Sequence, residues 1–172
     1  EGSPNAYSDL VPAPGSYSYQ VHGTVGSQSS SAASCGPAEV TYLPPVSIAQ
    51  CEVDDAAVAH VSWTNGASNY QGIELLVDGV AVPESPLGGN VTSYNSAPLG
   101  PGPHTFRLRP FLGSYGATPV ECSSTAPVLP PTGLACVPAA DSWSVELSWT
   151  NGWTYESVTV SRNGVPVTTL EG

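Results

Sequence analysis

The pentapeptide Ser-Trp-Thr-Asn-Gly stands at 62–66 and again at 148–152, 86 positions further on (148 − 62). A repeat of that period constrains the architecture before any single residue does, because each copy of the segment is expected to fold the same way. Pro45 and Pro131 keep the 86-residue spacing, and Cys51 and Cys136 lie 85 apart. A second set of matches has other content. PGSYSYQV at 14–21 corresponds to PGPHTFRL at 101–108, and Cys35 to Cys122, both at a spacing of 87. Residues 1–42 thus resemble the second half of the middle stretch, and 129–172 resemble its first half. The chain reads as half a repeat (1–42), one whole repeat (43–128) and another half (129–172).

Each piece is patterned as β-strand. Val145, Leu147 and Trp149 alternate with Glu146, Ser148 and Thr150, and Ala59, Val61 and Trp63 alternate in the same way. A period of two places one face in a core and the other in water. Tyr17, Tyr19 and Val21 share one face of their segment, with His104, Phe106 and Leu108 as counterparts. Trp63, Trp149, Tyr19 and Phe106 are the expected core aromatics. Asp78-Gly79 and Asn163-Gly164 each sit between short apolar runs. Such pairs are two-residue hairpin signals, because a type I′ turn needs positive φ at both positions. With 18 Gly and 18 Pro and no helical periodicity, the expectation is all-β, with about seven short strands per repeat in an aligned sandwich.

Charge removes whole classes of function. Arg107, Arg109 and Arg162 are the only Lys or Arg residues, and the formal net charge is −11. A nucleic-acid partner requires a basic footprint, which is missing. An anionic lipid surface would repel the chain, and no apolar run approaches the roughly 20 residues that span a bilayer, so no membrane insertion is expected. The opening EGSPNAYSDL is polar without a basic start, so no targeting segment is read there. Four cysteines (Cys35, Cys51, Cys122, Cys136) form no CxxC pair and have no His cluster nearby. Disulfides in an oxidising compartment are expected rather than zinc.

The run PPTGLACVPAADSWSVELSWTNGWTYESVTVSRNGVPVTTLEG resembles the first half of a bacterial fibronectin type III repeat, and SPNAYSDLVPAPGSYSYQVHGTVGSQSSSAASC resembles the second half. The resemblance implies immunoglobulin-like β-sandwiches in tandem. Pro44-Pro45 and Pro130-Pro131 would open strand A, and Trp63 and Trp149 would be the core Trp of strand B. Residues 71–82 and 156–169 would form C and C′, residues 103–111 and 15–24 strand F, and Cys122 and Cys35 would lie in strand G. Because A and G are neighbours in such sandwiches, the resemblance implies a Cys51–Cys122 disulfide within the middle domain and a Cys35–Cys136 disulfide between neighbouring copies. The alternative connectivity, Cys35–Cys51 and Cys122–Cys136 across the linkers, stays open at this level.

A half-sandwich leaves its inner face in water and its edges unpaired. The two halves are complementary, but domains of this kind enter and leave at opposite poles, and the linkers at 43–46 and 129–132 are short and stiffened by Pro pairs. Each half is therefore expected to be completed by another copy or by a continuation of the chain. Joining Gly172 to Glu1 gives 12 steps from Val167 to Tyr7, as from Val82 to Tyr94 (94 − 82).

Nothing points to catalysis, a metal or a cofactor. No serine elbow, HExxH or phosphate loop is present, and His22, His60 and His104 read as scattered structural or surface residues. Glu52, Asp54 and Asp55 could bind calcium but read better as a solvated acidic loop, of which the last repeat keeps only Asp141. Asn90-Val91-Thr92 is a sequon that could carry a glycan in a glycosylating host. Residues 27–34 read as a flexible loop. The functional expectation is a secreted, acidic structural protein, polymerising head to tail with itself into an extracellular filament. The alternative is a stalk or adhesin segment at a cell surface, for which Trp143, Trp153 and Tyr155 are the candidate sugar- or surface-binding aromatics.

Overall fold

The computed structural model of the chain describes residues 5–140 and 142–172; Glu1 and Asp141, both used above, lie outside them. The described residues contain strands and turns and no helix, and so no helix long and apolar enough to cross a membrane. The first strands are β1 (Gly15–Val21), β2 (Thr24–Val25), β3 (Gln28–Ser29) and β4 (Ala33–Val40). Then come β5 (Ser47–Val53), β6 (Ala59–Thr64), β7 (Gly72–Val77), β8 (Val80–Ala81), β9 (Leu87–Gly88), β10 (Ser93–Asn95), β11 (Gly102–Leu112), β12 (Tyr115–Gly116) and β13 (Val120–Ala126). The last four are β14 (Thr132–Pro138), β15 (Val145–Thr150), β16 (Ser157–Arg162) and β17 (Val165–Glu171). They form several sheets: β10-β6-β5, then β12-β11-β7-β8 with β13 on β11 and β9 on β7, and the two-stranded pairs β1-β4, β2-β3, β14-β15 and β16-β17.

Packing divides the chain into two compact units. The first takes the stretch up to Cys51, Val61–Tyr94 and His104–Ser123. Its core is built by strand alternation. Phe106, Leu108 and Pro110 of β11 turn inward opposite Val77, Leu75 and Ile73 of β7, and Phe106, Leu108, Leu75 and Ile73 are wholly buried. Val61 and Trp63 on β6 are buried as well. The outward residues of β11 meet acids: Arg109 lies 3.5 Å from Glu74, and Arg107 3.5 Å from Glu121. Both pairs are exposed and stabilise little.

Asp78 and Gly79 take φ of 52° and 81°, which closes the two-residue turn from Val77 to Val80. The Asp78 carboxylate accepts from the Thr105 N–H at 2.8 Å and contacts His104 Nδ1 at 2.6 Å. Those two partners, Thr105 first, hold its pKa below the usual carboxylate value. Cys51 and Cys122 form a disulfide with a Cα–Cα distance of 6.3 Å, which rules out the connectivity across the linkers.

The stretch 27–34 departs from the expected flexible loop. It does not remain a loop: Gln28–Ser29 pairs with Thr24–Val25, and Ala33 and Ser34 already belong to β4, paired with Val21 and Gln20. Gly26, at φ 59°, supplies the left-handed residue that the turn between β2 and β3 needs. Ser-rich composition hid strands whose existence depends on pairing.

The second compact unit comprises Glu52–His60, Asn95–Pro103 and Ser124–Gly172. Ala57, Ala59 and Ala126 are its buried apolar residues. β14 pairs with β15, Cys136 opposite Leu147. β16 pairs with β17 through a two-residue turn at Asn163 (φ 52°) and Gly164 (φ 80°).

Candidate functional site

Every buried hydrophobic side chain among the described residues lies between Leu43 and Ala126. The strands on either side are formed, yet none of their described apolar residues is fully buried. Two faces result.

The first is the β1–β4 pair. Tyr17, Tyr19 and Val21 stand opposite Ala38, Cys35 and Ala33, and directly paired residues project to the same side of a sheet. The two tyrosines are fixed at their tips. Tyr17 donates to the Ala13 carbonyl at 2.6 Å, and Tyr19 donates to Asp9 Oδ2 at 2.9 Å. That hydrogen bond to a carboxylate is the main cause of a raised Tyr19 pKa. Val21 is 71% exposed. Among the described residues β1 pairs with no strand but β4, so its second edge is open.

The second face is carried by β14–β15 and β16–β17. Leu134, Cys136, Leu147, Trp149, Val158 and Val160 line an open groove of about 350 Å³. Leu134 is 65% and Leu147 40% exposed. Trp149 and Tyr19, expected in a core, are only half-buried, whereas Trp63 and Phe106 are buried. Trp149 Nε1 donates to Asn151 Oδ1 at 2.8 Å. Cys35 and Cys136 are free thiols, both exposed, one on each face.

The tyrosines near the linkers carry a contact that the sequence reading missed. Tyr70 Oη donates to the Pro44 carbonyl at 2.7 Å and accepts from the N–H groups of Gly66 and Ala67 at 2.9 and 3.1 Å. Tyr155 Oη donates to the Leu129 carbonyl and accepts from Gly152 N–H. A Cβ on Gly66 would come within 2.2 Å of the Pro45 carbonyl oxygen, and one on Gly152 within 2.4 Å of that of Pro130. The 85-residue spacing of Tyr70 and Tyr155 was the available signal.

Among the described residues no group of three or more His, Cys, Asp or Glu could hold a metal ion. Instead of offering a calcium site, Asp54 caps its own turn, accepting from the N–H groups of Ala56 and Val58 at 2.9 Å each, and meets His60 Nε2 at 2.9 Å. His22 and Asn90 are exposed. Trp153 and Tyr155 line a shallow depression with Pro101 and Val128; Trp143, wholly exposed, does not line it.

The Asp54–His60 contact sets a pH dependence. Hydrogen bonding to Asp54, then to Asn95, raises the His60 pKa above 6.5, and His60 is the main cause that lowers Asp54 below 3.8. The His60 contribution is complete below 6.5 and fades as pH rises through its raised folded value. The Asp54 contribution is present above 3.8 and fades as pH falls through its lowered value. Asp54→Asn is expected to bring the His60 midpoint down toward 6.5, read by an NMR titration of the ring protons; an unmoved midpoint refutes the assignment.

Neither a scan against protein-family models nor a search of curated proteins returns a match for the chain.

Proposed function

We propose that the chain is a structural repeat of an extracellular filament, built from fibronectin-III-like sandwiches in tandem. In this reading 43–128 is a complete domain, while 1–42 and 129–172 are complementary parts of another. The observation that carries it is the pair of formed but incompletely covered apolar faces, on β1–β4 and on β14–β17, flanking a stretch that contains all the described buried hydrophobic residues.

Several correspondences support it. β14, β15 and β16 begin 85, 86 and 85 residues after β5, β6 and β7 (132 − 47, 145 − 59, 157 − 72). β1 and β4 begin 87 before β11 and β13 (102 − 15, 120 − 33). The sheet order β10-β6-β5 corresponds to strands E, B and A, and β13 on β11 followed by β7 and β8 to G, F, C and C′. The Tyr17 bond to Ala13 has the form of the tyrosine corner found at the start of strand F in such sandwiches. The Tyr70 and Tyr155 contacts hold both Pro-rich linkers alike.

An exposed apolar sheet with open edges recruits strands, and a head-to-tail contact that does not close propagates as a filament. The net charge of −11 would keep finished filaments apart, and a disulfide fits an oxidising, extracellular setting. The test is sedimentation and electron microscopy of the purified chain over a dilution series. Filaments that lengthen with concentration and release chains of 17.6 kDa in reducing denaturant are expected. A monomer at every concentration would refute self-completion by separate chains.

A further inference from the structure

We propose that the open edge of β16 receives β1 from a second copy of this chain, antiparallel, with Tyr19 opposite Arg162, Gln20 opposite Ser161 and Val21 opposite Val160, and that Cys35 and Cys136 then join in a disulfide across the junction. The inference rests on the filament reading and adds its register and its covalent seal.

The template is β11 on β7, where Phe106, Arg107 and Leu108 face Val77, Leu76 and Leu75. Tyr19, Gln20 and Val21 stand 87 residues before the first trio, and Arg162, Ser161 and Val160 stand 85 after the second. The edges agree. Among the described residues, β7 is bordered by β8 and β11, whereas β16 pairs with β17 alone; β11 is bordered by β13 and β7, whereas β1 pairs with β4 alone. The faces agree too. In this register Tyr19 and Val21 close over the groove that Val158 and Val160 line, and a slip of one residue would turn both outward.

Charge selects the same alignment. Copies of a chain with net charge −11 repel one another, and Arg162 is the sole Lys or Arg of 129–172. The Asp9 carboxylate, which precedes β1, accepts from the tip of Tyr19 on that strand at 2.9 Å. Setting Arg162 opposite Tyr19 brings the lone cation of one face toward that anion of the other, an arrangement that fixes register and discourages alternatives.

The thiols complete the match. Cys35 is paired with Tyr19 on β4, and Cys136 lines the groove beside Val158 and Val160. The corresponding positions 87 and 85 residues away, Cys122 and Cys51, are bridged. Two thiols become one disulfide, and their two protons and two electrons pass to a small external disulfide, which leaves as two thiols.

The test uses the full chain with Cys35→Ser and Cys136→Ser plus Gln20→Cys and Ser161→Cys, oxidised by glutathione disulfide and run on a non-reducing denaturing gel. A ladder that collapses on reduction is expected. The pair Gln20→Cys with Thr159→Cys should give none, and a ladder from it instead of from the first pair overturns the register. The unsubstituted chain, oxidised in the same way, should yield a Cys35–Cys136 peptide by mass spectrometry; Cys35–Cys35 or Cys136–Cys136 peptides in its place overturn the seal. Filaments of the unsubstituted chain without an in-register ladder would leave the filament reading standing and remove this inference. If that chain never assembles, the filament reading itself fails.

Discussion

Trp63→Ala is expected to destabilise the chain by about 3–5 kcal/mol, the range for truncating a buried Phe or Trp, while Trp149→Ala in dilute, unassembled chain costs far less. The two residues occupy the same place in the repeated Ser-Trp-Thr-Asn-Gly segment, so intrinsic propensity does not separate them. Their surroundings do. Trp63 is 3% exposed on a strand whose neighbour Val61 is also buried, and its removal leaves a cavity. Trp149 is half-buried at the wall of an open groove, where truncation removes surface that water already reaches. Urea unfolding followed by near-ultraviolet dichroism measures the difference as a shift in midpoint at constant slope. Under the filament reading the ranking should reverse for assembly: Trp149→Ala should raise the concentration at which filaments appear, because that reading covers its ring at the junction. Equal losses of stability in dilute solution would show that both tryptophans already lie in completed cores.

Much of the local architecture was legible because it is written in short-range chemistry. Alternation in Val-Glu-Leu-Ser-Trp specifies a two-faced strand, and Asp78-Gly79 and Asn163-Gly164 specify turns whose φ values are positive at both positions. What was hidden depends on distant partners. The strand segments within 27–34 exist through pairing with β2 and with β1, and no serine announces that. The Tyr70 bond to Pro44 joins residues 26 apart through a backbone carbonyl, an acceptor that every residue offers. Asp54 looked like one acid in a cluster with Glu52 and Asp55. Its role follows from the turn that brings Val58 and His60 back to it. The candidate surface was half legible: the repeat offsets point to incomplete pieces, but which apolar residues remain uncovered, and that Cys35 and Cys136 sit one on each face, are properties of the folded strands.

Removing the Cys51–Cys122 disulfide by a double Ser substitution is expected to lower stability by about 4 kcal/mol, since the bond closes a loop across 71 residues and stabilises by restricting the unfolded chain. The loop contains the whole of β6, β7 and β11, the last two carrying the wholly buried Ile73, Leu75, Phe106 and Leu108, so the chain's main apolar core lies inside the tether. Loss of the tether should lower the urea midpoint. Cys35→Ser with Cys136→Ser is the matched control. Those thiols are free and exposed, close no loop within the chain, and should leave the dilute-solution midpoint unchanged. Under the filament reading the control loses something else, the resistance of assembled material to denaturant in the absence of reductant. Measuring both variants by urea unfolding when dilute and by denaturing sedimentation when assembled separates the two roles. A midpoint loss near zero for the Cys51–Cys122 variant would mean that the unfolded chain is already compact enough to make the tether redundant. A large loss for the control would mean that Cys35 and Cys136 contribute within one chain.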